Sequence, residues 1–205
     1  ATFLCIRRGS KIMADGTREE PIVFTSQASV GERSPQDWGG IIINGRAPIN
    51  VGAEAEGEGG TGKYGGTDPE DSSGTLRYVR VEFAGFPITP ENELNSIAFQ
   101  GVGSGTTVEY VQTHMGSDDG FEFFGGTVNA KYLVATGIDD DSFDWTDGWT
   151  GNAQFLIAQQ YAGRGDQGIE ADNNGDANDA APMSNPTLAN VTLVGSPDSD
   201  KSDIG

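Results

Sequence analysis

Apolar residues fall in short runs bounded by Gly, Asp and Asn, and helical spacing is nearly absent. The clearest runs occupy residues 22–25, 41–43, 76–83, 97–99, 108–111, 121–123, 132–134, 143–145, 155–157, 169–171 and 191–194. They are rich in β-branched and aromatic residues, which favour strands. Two of them repeat in phase. Asp118-Asp-Gly-Phe-Glu-Phe123 recurs as Asp140-Asp-Ser-Phe-Asp-Trp145, 22 residues later, and more loosely as Asp166-Gln-Gly-Ile-Glu-Ala171, a further 26 residues on. Glu109-Tyr-Val111 recurs as Lys131-Tyr-Leu133 and Gln154-Phe-Leu156, at spacings of 22 and 23, with Arg77-Tyr-Val79 upstream and Asn190-Val-Thr192 downstream.

Strands that repeat every 22 to 26 residues without intervening helices describe the coil of a solenoid. No single coil has enough apolar residues for its own core. Stacking coils about 4.8 Å apart pairs each strand with its successor and buries a continuous column. The chain is therefore expected to be all-β, a right-handed parallel β-helix forming one domain over residues 1–205. Phe121, Phe143 and Ile169 form one inward column, and Phe123, Trp145 and Ala171 a second. Tyr110, Tyr132 and Phe155 line up on another wall. A propeller is the main rival, but its blades need about 40 residues each. Residues 51–73, rich in Gly and Glu with little to bury, and 172–186, rich in Asp and Asn, read as loops inserted at corners.

Charge narrows the function. Lys and Arg total 12 against 31 Asp and Glu, a net charge of -19. Nucleic acid needs clustered cations and is excluded as a partner; direct docking on or insertion into membrane is disfavoured for the same reason, and no apolar run is long enough to span a bilayer. The balance suits an extracellular protein that must stay soluble or that binds divalent cations. Cys5, the single cysteine, lies in a strand-like run and reads as a packed thiol. The opening at Ala1 and the polar ending 198–205 read as an excerpt of a longer chain, so the rungs at 3–14 and 188–194 are expected to be covered by other chains or by further sequence, in end-to-end or homo-oligomeric association.

The alternation that turns Phe121 and Phe123 inward turns Glu122 outward, and Asp144 and Glu170 follow on successive rungs. Asp118, Asp140 and Asp166 sit in the adjoining turn. Like charges stacked on neighbouring strands repel. Ca²⁺, which takes 6–8 oxygen ligands, is the natural counter-ion, so these six residues form the candidate metal site; the alternative is a solvated acidic face, or carboxylates that accept backbone N–H groups at turns. The stretch 172–179 superficially resembles a calcium loop but lacks the distal Glu and flanking helices, and reads as a turn. Asp139, Asp140 and Asp141 with Arg164 supply only a thin case for lyase or hydrolase chemistry. His114, the only histidine, reads as a surface or corner residue. Trp149, outside the repeat register, is the candidate platform for a sugar ring, whereas Trp145 belongs to the core.

Several motifs match a family. Residues 9–17, 21–26 and 38–48 resemble the opening rungs of a group of bacterial secreted or outer-membrane lipoproteins; Gly66-Thr-Asp-Pro-Glu-Asp71, residues 78–85 and Gly168-Ile-Glu-Ala-Asp172 continue the match over nearly the whole chain. That group is similar in fold to the pectate-lyase-like β-helix superfamily. The resemblance implies the fold and an extracellular or outer-membrane location, and supplies no catalytic residues. The expected role is a non-enzymatic surface protein for adhesion, assembly or glycan binding, with an extracellular polysaccharide or surface protein as partner. A polysaccharide lyase or glycoside hydrolase, and a purely structural repeat of a surface assembly, are the alternatives.

Overall fold

A computed structural model describes residues 2–89 and 93–197; the polar ending 198–205 lies outside the described residues. The first coils carry β1 (Leu4–Ile6), β2 (Ile12–Asp15), β3 (Ile22–Phe24) and β4 (Ile41–Asn44). A hairpin of β5 (Ala55–Glu56) and β6 (Lys63–Tyr64) follows, holding a 3-10 turn at Glu58–Gly60. Then come β7 (Gly74–Glu82), β8 (Ile97–Gln100), β9 (Thr107–His114), β10 (Phe121–Phe124), β11 (Asn129–Thr136), β12 (Phe143–Thr146), β13 (Asn152–Gln159) and β14 (Thr187–Val194).

The strands build two walls. The first runs β1-β4-β8-β10-β12 and the second β14-β13-β11-β9-β7-β2, with β3 also paired to β7. Every pairing in both walls is parallel; the hairpin β5–β6 is antiparallel. This is the parallel β-helix that the repeat predicts. Phe121 pairs in register with Ile97 and Phe143, and Phe143 bridges to Ile169. Their rings lie inside, with Phe121 and Phe143 stacked at 5.5 Å. At the two ends the inward positions open: Leu4 and Val191 are exposed where their register partners Ile41 and Leu156 are buried.

The second wall contains a bend that the pattern does not announce. Tyr78, Tyr110, Tyr132, Phe155 and Asn190 all have positive φ, from 50° to 62°. Each sits mid-strand, and the pairing register steps over it, from Lys131↔Gln154 to Leu133↔Leu156. A left-handed residue costs a bulky side chain about 1–2 kcal/mol. Stacking offsets part of this: the four rings follow one another at 4.5, 4.3 and 4.9 Å with near-parallel planes. They are partly exposed on the outside of the coil.

The 51–73 insert has more to bury than expected. Its Tyr64 and Thr61 are buried, and the hairpin folds over the outer face of the first wall. Gly57 permits this approach, because a Cβ there would lie 2.3 Å from Gln100 Oε1 on β8. A second apolar cluster, Ile42, Leu94 and Ala98, forms on the same outer face. The 172–186 segment is anchored rather than free: the Asn50 amide donates to Asn173, and Asn174 donates back to Asn50 Oδ1 at 3.1 Å.

Candidate metal centre

The outward column of the first wall reads Cys5, Ile42, Ala98, Glu122, Asp144 along the pairing register. Its first half is apolar and its second half acidic. Glu122 and Asp144 were expected to face solvent, but they are only 8% and 7% exposed. The residues preceding β8 and the hairpin insert cover them. Asn95 donates through Nδ2 to Glu58 Oε2 at 2.8 Å and to Glu122 Oε2, so a side chain from the insert and one from the wall share a single amide. Tyr64, also from the insert, donates its hydroxyl to Asp147 Oδ2 at 2.9 Å.

Glu58, Asn95, Glu122 and Asp144 line a pocket of about 300 Å³ with Glu93, Asp118, Asp119, Asp140, Asp141 and Glu170. Ligand oxygens of Asp119, Glu122 and Asp144 lie within 4.8 Å of one another, as do those of Asp118, Asp119 and Asp140, and of Asp140, Asp141 and Asp166. Of the six sequence-predicted residues, Glu122 and Asp144 form the buried centre. Asp118 and Asp140 are half-buried beside it, and Asp166 and Glu170 are exposed at its rim.

Burial is the main perturbation. It pushes Glu58 up to about 8, with the Asp118 charge adding to the effect. It pushes Asp118 to about 7, Asp141 to about 8 and Asp144 to about 6. Glu122 and Asp119 are held well above the usual carboxylate range, first by burial and then by Glu58 and Asp118 respectively. Carboxylates buried this close together without a cation cannot all ionise.

Some of these oxygens have structural work. Asp119 Oδ1 accepts the Asp141 N–H at 3.0 Å, and Asp141 Oδ1 accepts the Gln167 N–H at 2.6 Å, tying each turn to the next. This is the turn role weighed against a metal site. At the centre, Asp144 Oδ1 and Asn95 Oδ1 are buried without a hydrogen-bond partner. A buried acceptor left in that state is costly. The two oxygens are also hard donors, the type that Ca²⁺ coordinates.

Sequence reasoning missed Glu58, Glu93, Asn95, Asp119 and Asp141 as members of this pocket. Asp119 and Asp141 were within reach as the second members of the repeated Asp doublets. Glu58 and Asn95 carry no such signal, because nothing in the repeat says where an insert folds back. The sugar platform assigned to Trp149 is corrected: its side chain is 1% exposed. It leaves the turn after β12, stacks on Phe123 at 4.1 Å and donates Nε1 to Val128 O. Trp149 thus takes the deep position, and Trp145, in register with Phe123, is left partly exposed. Arg164 and Asp139 are paired at 3.1 Å, and Arg164 also donates to the Gly137 and Gly116 carbonyls, clamping two corners. His114, half-buried at a strand end, contacts Thr136 Oγ1 at 2.8 Å. Cys5 is half-buried and faces the Thr61 carbonyl at 3.4 Å.

Among the described residues, no helix is long and apolar enough to cross a membrane. No curated protein and no solved structure gives a significant match. The family model for a pectate-lyase-like β-helix domain matches residues 1–204. Two walls in parallel register and a match over the whole coil agree, and the chain belongs to the pectate-lyase-like β-helix domain family.

Proposed function

We propose that this β-helix is a non-enzymatic extracellular or bacterial surface module, serving adhesion, assembly or glycan binding, whose acidic pocket is stabilised by Ca²⁺. The observation that carries the reading is Asp144 Oδ1, a buried oxygen with no partner, beside Glu122 and Asp119. A divalent cation there would be met by three carboxylates and the Asn95 carbonyl oxygen, and would remove the repulsion that otherwise keeps protons on the pocket. Ca²⁺ tolerates irregular oxygen shells better than Mg²⁺, which demands near-ideal octahedral geometry. The exposed Asp166 and Glu170 at the rim leave an open side through which an anionic partner could share the ion. The open end positions at Leu4 and Val191 support end-to-end association with further β-structure.

Calorimetric titration of the metal-free protein with CaCl2 at constant ionic strength tests this. Saturable binding, abolished in Asp144→Asn, supports the reading; absence of binding to wild type overturns it. A second reading rests on a different feature. Burial raises both Glu122 and Asp144, as it raises the general-acid carboxyl of glycoside hydrolases. Release of reducing ends or unsaturated products from extracellular polysaccharides, lost in Glu122→Gln, would favour that enzyme reading over the binding one.

A further inference from the structure

The outer face of the first wall carries a second polar pocket, at the β1–β4 end, away from the acids on β10 and β12. Arg7, Arg8, Lys63, Asn44 and Thr61 line a cavity of about 350 Å³. Three of the chain's 12 basic residues converge here, in a molecule of net charge -19. Arg8 and Lys63 share Glu54 as partner, at 2.5 and 3.3 Å. Glu56 closes the hairpin by accepting the Gly62 N–H at 3.0 Å. With both acids counted, cations remain in excess, and the Arg7 guanidinium has no hydrogen bond or ion pair among the described residues.

The floor of the pocket supplies the second observation. Asn44 Oδ1 and Thr61 Oγ1 are buried without a hydrogen-bond partner, in residues that are 1% and 6% exposed. Asn44 Nδ2 is already engaged, donating to the Thr61 and Gly62 carbonyls at 3.3 Å, so the side that stays unpaired is an acceptor. A bare anion would satisfy the cations and leave this acceptor unmet. A ligand that joins an oxyanion to a hydroxyl donor satisfies both.

We propose that this pocket binds a hydroxyl-bearing oxyanion, a chemistry shared by hydrogen phosphate groups and polyhydroxy carboxylates. The guanidinium of Arg7, with Arg8 and Lys63 beside it, takes the oxyanion through charge-assisted hydrogen bonds. Asn44 Oδ1 and Thr61 Oγ1 take the hydroxyl. The site is independent of the acidic pocket and does not need a metal ion.

Titration of the full chain without calcium, at constant ionic strength and neutral pH, tests this with three probes: inorganic phosphate, gluconate and sulfate. Saturable binding of phosphate or gluconate is expected, and whichever binds identifies the source. Sulfate, which offers no donor, should bind roughly tenfold more weakly. Arg7→Gln, at an exposed position, should abolish binding with no change in melting temperature. Thr61→Val removes a buried hydroxyl that has no partner, so it should hold or raise the melting temperature while weakening the binding. Lack of saturable binding by phosphate and gluconate, binding of sulfate as tight as theirs, or binding unmoved by Arg7→Gln would each overturn the proposal.

Discussion

The two outer faces of the coil stack like on like, with opposite consequences. On the second wall the repeated residues are aromatic: Tyr78, Tyr110, Tyr132 and Phe155 pile ring upon ring and stay partly exposed. On the first wall they are acidic: Glu122 lies in register with Asp144, and both are covered. Parallel register is favourable for rings, which gain contact from each neighbour. It is unfavourable for carboxylates, which gain repulsion and lose water. A solenoid that exposed its acids and buried its rings would be simpler to stabilise. The reversal is what motivates the proposed cation site on the acidic face.

The largest effect should come from the interior that both faces share. Phe143 is buried between Phe121 and the Ile169 bridge, and Phe143→Ala should cost roughly 3–5 kcal/mol in denaturant unfolding. A loss below about 1 kcal/mol would mean that the stacked column is not the common core.

The acidic face gives the next effect, with a sign that separates it from an ordinary ion-paired surface. Asp144 moves from 3.8 to about 6 on folding, chiefly through burial. A carboxyl raised on folding binds its proton more tightly in the native state, so native protein gains stability at low pH and loses it as pH rises. Asp144→Asn removes that liability. In metal-free protein at pH 8 it should stabilise by on the order of 2 kcal/mol, while below pH 4 the variant should match wild type. Destabilisation at pH 8 would show that Asp144 is already satisfied by the fold.

The aromatic ladder predicts a smaller, graded response. Tyr132→Ala loses stacking on both sides and keeps the left-handed strain, and should cost about 1–3 kcal/mol. Tyr132→Gly loses the same contacts but relieves φ +58, and should be more stable than the Ala variant by about 1 kcal/mol. The opposite order would remove the strain from the account. Smallest of all, Glu170→Gln at the exposed rim should change metal-free stability by less than about 0.5 kcal/mol.

Much of the fold was legible because the repeat fixes it. Once Asp118–Phe123 aligns with Asp140–Trp145, the parallel register and the inward Phe column follow from two-residue alternation alone. The bend in the second wall was not legible, since tyrosine at a left-handed position contradicts its own preference and is held there by its neighbours in other coils. Half of the acidic site was legible for the same reason that the coil was: Glu122 and Asp144 repeat. Glu58 and Asn95 do not, and reach the pocket only because the insert and the segment before β8 fold over the wall. Trp149 was misread because it packs from a turn, where periodicity assigns no inward direction.

We propose that the covered carboxylates form a cation site. Melting temperature measured from pH 5 to pH 8, with and without millimolar Ca²⁺ at constant ionic strength, tests it most directly. Unfolded values of 3.8 for Asp and 4.5 for Glu, against about 8 for Glu58 and Asp141, predict that metal-free protein loses stability steadily across this range. Ca²⁺ should displace those protons and flatten the slope, with its largest gain at pH 8 and full reversal by chelator. A slope that stays the same in calcium, in wild type and in Asp144→Asn alike, would contradict the claim.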